Sequence, residues 1–399
     1  MYEVFSTALK LGLTAFGGPI AHLGYFERTY VRKLAWLTSE EYAQLVALCQ
    51  SLPGPTSSQV GFLVGMRKAG WVGALAAWAG FTLPSALLMY AFAVLITALP
   101  AQTGRDLLTP ILHGLVLTAV AIVAQAVWSM ARSLCPDWPR RALAVLSCAA
   151  LLLFATSATQ VIVMLAGAAG GLFLCRGVAL GAAPHDIAIS RAVRPRTAAL
   201  ALSLYVLFLA AFSGLSFLAP HSPLALAGIF YRAGALVFGG GHVVLPLLRQ
   251  ELVPGGWLSD SEFLSGYALA QGMPGPLFTV AAYLGATSAP VHQGAAWSLL
   301  AVAAIFLPGL LLATGGISLW NRLTRVAGAG AALAGINAAV VGILAAALYD
   351  PVWRSGVHDL ADAAVAVMAF VLLQLLRLPA AGTAIVCVLV SLLRGHLAL

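Results

Sequence analysis

Apolar runs of about 20 residues, the length that crosses a bilayer as a helix, follow one another along almost the whole chain. Thirteen can be marked, at 4–24, 42–66, 71–99, 108–131, 141–156, 159–175, 197–219, 224–248, 263–286, 294–319, 331–349, 360–376 and 380–397. Only 9% of the 399 residues are charged and 61% are hydrophobic, with a mean hydropathy of +0.96. A soluble domain carries roughly 25% charged residues. So few charges cannot cover a surface facing water, and the solvent must be lipid. The runs are continuous rather than alternating, which selects helices over a β-barrel. The 40 Gly and 20 Pro suit membrane helices better than soluble ones.

The net charge of +8 would suggest nucleic-acid binding in a soluble protein. Here the basic residues lie in short clusters between apolar runs, so they read as topology signals or as attraction for an anionic substrate, with no nucleic acid involved. The five cysteines (Cys49, Cys135, Cys148, Cys175 and Cys387) show no CxxC spacing. They read as small packing residues, with no disulfide frame and no metal site. The first run begins at Val4 without a basic leader, which favours a membrane helix over a signal peptide.

The second half of the chain repeats the first. Phe16-Gly17-Gly18 returns as Phe238-Gly239-Gly240, and Leu83-Pro84 as Leu307-Pro308. From Trp36 to Pro55, nine of twenty positions are identical to Trp257–Pro276 at one offset, including Gln50/Gln271 and Pro53-Gly54-Pro55/Pro274-Gly275-Pro276. Apolar bias does not place Trp, Gln and Pro-Gly-Pro in register, so the repeat is a duplication. The expected organisation is a repeat at 1–175, a basic linker with an extra span at 176–223, and a second repeat at 224–399. Seven spans precede the helix carrying Phe238, and an odd number inverts the second half. The expected fold is therefore an all-α integral membrane protein of about 13 transmembrane segments (range 10–13) in two homologous, inverted halves with broken helices. With the N-terminus inside, most basic loops fall inside and the acidic loop 350–359 outside. Arg28, Arg32 and Lys33 fall on the wrong side. A re-entrant hairpin around Pro53 would move them inside; thirteen through-going spans are the preferred count.

Each Pro-Gly-Pro interrupts an apolar run. Proline removes a backbone donor and clashes with the preceding turn. A helix broken inside the membrane leaves N–H and C=O groups that only protein or water can satisfy. The helix beginning after Pro55 directs N–H groups into the gap, which favours an anion, and Thr56, Ser57, Ser58 and Gln59 follow at once. The second copy continues Leu277-Phe278-Thr279, so the first half is expected to supply more substrate contacts. The alternative is a packing kink. Gly17-Gly18 and Gly239-Gly240 allow local unwinding or only close helix approach. Lys10 and Arg232, each six residues before the repeated Phe, could share a dianion from opposite sides, or snorkel. His22 and His242 could carry protons or be packed residues. Gln50 and Gln271 could donate to an oxyanion or cap the break. Glu41 and Glu262 could take part in coupling or steering, or only meet a helix N-terminus, which favours acid; Arg28 and Arg249 could steer anions or set topology.

Several of these residues carry a family resemblance. Phe16-Gly17-Gly18-Pro19 with His22, Trp36, Glu41, Pro53-Gly54-Pro55, Gly65, Gly70-Trp71-x-Gly73 and Pro84 resemble the chromate ion transporter domain. Phe238-Gly239-Gly240-Gly241-His242, Leu245-Pro246-Leu247-Leu248-Arg249, Trp257-Leu258, Glu262, Pro274-Gly275-Pro276 and Phe306-x-Pro308 resemble it again. The resemblance implies a multi-pass protein of the bacterial inner membrane that exports chromate from the cytoplasm, driven by the proton motive force, and confers chromate resistance. The implied partners are chromate, or its isostere sulfate, together with protons and membrane lipids; a homo-oligomer is compatible with it. The alternatives are a sulfate or other oxyanion carrier and a passive anion channel. No P-loop, HExxH, Gly-x-Ser-x-Gly or metal-ligand cluster is present in the sequence. The chain is expected to be no enzyme and to need no cofactor.

Overall fold

The computed structural model describes residues 1–399 except 17, 99–102, 155–156, 178–192, 219–220, 239–242, 291, 324–325, 327 and 398–399. The first half contains α1 (Tyr2–Thr14), α2 (Gly18–Phe26, extended by a wider turn at Glu27–Lys33), α3 (Ser39–Ser51), α4 (Thr56–Ala98), α5 (Thr103–Leu134), α6 (Trp138–Leu153) and α7 (Ser157–Leu174). A single helix, α8 (Pro195–Leu218), follows. The second half contains α9 (Pro223–Leu236), α10 (Val244–Leu252), α11 (Asp260–Gly272), α12 (Val280–Thr287), α13 (Gly294–Leu323), α14 (Ala329–Ala347), the single turn α15 (Arg354–Gly356), α16 (Leu360–Gln374) and α17 (Ala380–Leu397).

Among the described residues, five stretches are long and apolar enough to cross a membrane: Thr56–Ile96, Thr109–Leu134, Pro195–Gly214, Gly294–Ser318 and Ala329–Gly356. Leu87, Leu165, Val206 and Ile385 stand exposed on the helix surfaces. In water such a surface would drive aggregation; in a bilayer it faces its solvent.

The runs expected as spans at 4–24, 42–66, 224–248 and 263–286 are not through-going helices. Each is split, and three polar contacts show how the first two turn. Arg67, near the end of the first arm of α4, reaches back to Glu41 in the first turn of α3 (3.0 Å). Lys68 approaches Glu3 at the start of α1 (3.9 Å) and covers the ring of Trp36, just before α3 (4.9 Å). The starts of α1 and α3 and the end of the first arm of α4 therefore meet at one end of the molecule. Residues 2–36 and 36–69 thus each begin and end at that end of the molecule. In the second half, the ring of His221, just before α9, lies against Trp257 before α11 (4.8 Å), and Trp257 lies 6.0 Å from Trp297 at the start of α13. The starts of α9, α11 and α13 therefore also meet at one end of the molecule. Neither 42–66 nor 263–286 is thus a single through-going helix: α3 ends at Ser51 and α11 at Gly272.

Helix α4 bends sharply where Ala69 and Gly70 leave helical geometry (φ/ψ −144/26 and 64/−155). Its two arms then run antiparallel: a side chain at Gly65 would meet the Gly73 carbonyl and Ala77. Gly285 of α12 meets Trp297 and Ala301 of α13 in the matching way.

The halves exchange their outer helices. Gly114 of α5 packs on Cys387 and Val388 of α17, and Gln125 donates to Leu373 of α16 (3.4 Å). Conversely, Gly167 and Gly171 of α7 and Ala144 of α6 pack on α14 at Gly335, Ala339 and Gly342. Small residues let these backbones approach closely, the usual driving geometry where lipid removes the hydrophobic contrast between helices.

Candidate functional site: crossed Pro-Gly-Pro breaks

Each Pro-Gly-Pro terminates its helix as local chemistry requires. Proline disfavours the helical conformation at the residue before it, and Leu52 (φ/ψ −100/148) and Met273 (−89/146) are extended. The glycines adopt positive φ, +122° at Gly54 and +96° at Gly275, conformations that an L side chain resists.

These breaks meet across the halves. The Gly54 N–H donates to the carbonyl of Val237, immediately before Phe238 (2.7 Å). The Gly275 N–H donates to the carbonyl of Ala15, immediately before Phe16 (2.9 Å). Each half thus uses its Pro-Gly-Pro to satisfy the carbonyl left free where α1 or α9 of the other half ends, which resolves the demand for partners that a membrane interior imposes. The packing is reciprocal too. A Cβ on Gly54 would lie 2.9 Å from Cα of Gly309, and one on Gly275 2.8 Å from Oγ of Ser85. Ser85 and Gly309 both follow the proline of the repeated Leu-Pro pair.

The donor chemistry is unequal. In the first half Gln59 is fully buried and its Nε2 donates to the Pro53 carbonyl (2.9 Å) and, across the halves, to the Gly309 carbonyl (3.0 Å). Buried His22 lies within hydrogen-bond distance of Ser57 Oγ (3.3 Å) and the Ala15 carbonyl (3.2 Å). Ser58 Oγ, Thr82 Oγ1, Trp78 Nε1 and Gln59 Oε1 are buried with no protein partner. Trp78 and Thr82 lie one turn apart on the second arm of α4, and Trp78 contacts Phe306, which contacts Phe278 beside the second break. Buried polar groups are nearly always satisfied. Two hydroxyls and an indole N–H thus stand buried in the first half without protein acceptors. In the second half, Thr279 turns its hydroxyl back to Pro276 (2.8 Å), and Leu277 and Phe278 offer no donor.

The remaining sequence candidates divide by location. Gly18 (φ +79°) opens α2 beside the crossing, and Thr56 is half-buried at the start of α4. Gly17, Gly239, Gly240 and His242 lie outside the described residues. Lys10 is exposed on α1, one turn before the break. Arg232 is not brought beside it: its guanidinium pairs with Glu251 and donates to the Phe212 carbonyl (3.0 Å). Gln50 is exposed, and Gln271 is hydrogen-bonded to Tyr267. Glu41 and Glu262 complete capping boxes with Thr38 and Ser259. Arg28 covers the Tyr25 ring (5.3 Å), and Arg249 pairs with Asp260 (2.7 Å). Trp78, Thr82 and Ser85 escaped the sequence reading. Their signal was position: they surround the proline of the repeated Leu83-Pro84.

Away from the crossing, ligand-type atoms of His113, His358 and Asp362 approach within 4.8 Å of one another. The guanidinium of Arg394 already sits on the Asp362 carboxylate (2.6 Å), so a protein cation closes the group and it does not read as a metal centre.

Comparison of the sequence with known proteins identifies its relatives. The chromate transporter family model matches residues 2–172 and 224–395. The chain is 28% identical over 373 residues to the chromate transport protein of Pseudomonas aeruginosa, covering 87% of this chain and 80% of that one. It is 27% identical over 377 residues to the chromate transport protein of Cupriavidus metallidurans (92% and 86%), and 26% identical over 358 residues to a probable chromate transport protein of Synechococcus elongatus (88% and 84%). No solved structure matches. The chain belongs to the chromate transporter family, as a multi-pass protein of the bacterial inner membrane and not an enzyme.

Proposed function

We propose that the chain is a secondary carrier that exports chromate from the cytoplasm, driven by the proton motive force. The observation that carries this is the crossing: two helix breaks exchange backbone bonds while Ser58, Thr82 and Trp78 keep buried donors free of protein acceptors. A tetrahedral dianion needs several convergent donors, and a water-poor site strengthens each of them. Two relatives named chromate transport proteins support the choice of oxyanion.

The halves, 1–175 and 224–399, are inverted about this site in our reading. Between the first-half hairpins and α9 lie the second arm of α4, α5, α6, α7 and α8. An odd number of crossings brings the second pair of hairpins in from the opposite face. Helices of 13 or 14 residues reach about 20 Å, so hairpins from opposite faces of a core of roughly 30 Å overlap near its middle. In this reading nine helices cross, the five long apolar stretches among them, and four hairpins re-enter, in place of thirteen spans. Arg28, Arg32 and Lys33 then join Arg67, Lys68, Arg132, Arg140 and Arg141 on the cytoplasmic face, which removes the conflict in the loop charges. Arg249 moves to the other face with Asp260, Asp350 and Asp359.

The test is chromate uptake into inside-out vesicles, with sulfate as competitor and with the proton gradient on or off. Uphill uptake abolished by an uncoupler is the expected result. Flux that follows only its own electrochemical gradient makes the protein a channel, and displacement by equimolar sulfate makes it a general oxyanion carrier.

A further inference from the structure

A second polar cluster, built around the buried carboxylate of Asp362, ties the halves together far along the sequence from the crossing. His113 of α5 donates Nε2–H to Oδ1 of Asp362 on α16 (2.9 Å), because a carboxylate can only accept. Arg394 of α17 donates to the same oxygen (2.6 Å) and to Asp359 (2.8 Å). The backbone N–H of His358 donates to Oδ2 of Asp362 (3.0 Å), and its ring Nδ1 stands 3.6 Å from that oxygen, beyond hydrogen-bond reach. The two imidazoles lie 5.6 Å apart, and the Asp362 side chain is only 4% exposed.

We propose that this cluster binds the coupling proton. With neutral rings it holds two carboxylates and one guanidinium, a net charge of −1. One proton on an imidazole neutralises it and converts the 3.6 Å approach of His358 into an ion pair. Imidazole is the side chain suited to exchanging a proton near neutral pH. The Asp362 backbone N–H donating to Asp359 lowers the pKa of that exposed carboxyl, which keeps its charge in the balance. The surrounding elements leave the account intact. Asp350 and Arg354, beside α15, neutralise each other. On α11, Asp260 is bound by Arg249 and Glu262 by Ser259, while Tyr267 is buried and bonded to Gln271. On α17, Cys387 is bonded to Thr118; α14 carries no ionisable group. The proton would sit on the seam where α5 of one half meets α16 and α17 of the other, so binding it changes how firmly the halves are joined.

This deepens the proton-driven reading and rests on it. The experiment uses the full-length protein in lipid vesicles with chromate as probe, comparing wild type with His358→Gln and His113→Gln. His358 is 63% exposed, so its replacement does not threaten folding. Two rates are read: uphill accumulation driven by a pH gradient, and chromate–chromate exchange at equal pH. Both variants are expected to lose at least tenfold in accumulation while keeping exchange within about twofold of wild type, with the pH dependence of exchange flattened. Accumulation at the wild-type rate in both variants overturns the assignment and leaves proton-driven export standing. Equal loss of exchange and accumulation makes the cluster a structural joint only, and likewise overturns it. If wild type itself fails to respond to the pH gradient, proton-driven export falls and this site falls with it.

Discussion

Replacing Gln59 by leucine isolates the crossing better than any change to the prolines, because it preserves volume and leaves the backbone breaks untouched. Two buried carbonyls lose their donor, Pro53 O (2.9 Å) and Gly309 O (3.0 Å). A buried polar group left without its partner costs about 1–3 kcal/mol. Pro53 lies in the break with no helical donor and takes the larger share. Gly309 lies within α13 and keeps a helical N–H four residues on, so its loss is at the low end. The sum is about 2–4 kcal/mol, or roughly 30- to 1,000-fold in the population of the correctly crossed state at ~1.4 kcal/mol per decade. The assay is chromate exchange per folded molecule in proteoliposomes, with folded protein counted by size-exclusion and melting temperature measured alongside. Gln59→Glu should lose more, since a carboxylate would face the same two acceptors. Wild-type exchange and melting in Gln59→Leu would show that the bond to Gly309 joins nothing of functional weight.

Four further outcomes follow from the same geometry. Gly54→Ala and Gly275→Ala should each cut exchange about tenfold or more, since an L residue in left-handed geometry costs roughly 1–2 kcal/mol before the contacts at 2.9 and 2.8 Å are counted; Ser85→Ala should recover part of the Gly275→Ala loss and none of the Gly54→Ala loss, and the opposite pattern speaks against the reciprocal packing. Pro53→Ala and Pro55→Ala should impair transport more than Pro274→Ala and Pro276→Ala, measured as flux per molecule, because the donors lie in the first half; a larger loss from the second pair reverses the assignment. Lys10→Gln should lower flux per molecule with normal abundance, whereas Arg232→Gln should lower folded abundance by breaking a half-buried pair worth about 3 kcal/mol, with Glu251→Gln recovering part of it; matching effects at both positions contradict the separation of roles. In a background lacking the native cysteines, Glu41→Cys and Arg67→Cys should cross-link and label from the cytoplasmic face; labelling from opposite faces would restore a through-going span.

The duplication and its breaks were legible in the sequence because proline, glycine and tryptophan are conspicuous in an apolar chain, and Pro-Gly-Pro repeats in register. The hairpins were not. An apolar run of two short helices joined by a break has the same length and hydropathy as one long helix. Only contacts between its ends, such as Glu41 with Arg67, distinguish the two. The sequence did hold one hint, the clash of Arg28, Arg32 and Lys33 with the charge rule. Arg232 looked like a lone membrane cation because its partner Glu251 lies 19 residues on, beyond the glycine break. The His113–Asp362 contact spans 249 residues and had no local signature at all. Donor asymmetry was readable from Thr56–Gln59 against Leu277–Thr279, but Trp78 and Thr82 stood out only once folding left their polar atoms buried without partners.

The central claim is that an oxyanion rests where the two breaks exchange backbone bonds. Anomalous diffraction at the chromium edge from chromate-soaked crystals locates it directly. A single strong peak within hydrogen-bond reach of Ser58 and Thr82, lost in Ser58→Ala, is the predicted result. A peak confined to the membrane surface beside Arg249, with the crossing empty at saturating chromate, would contradict it.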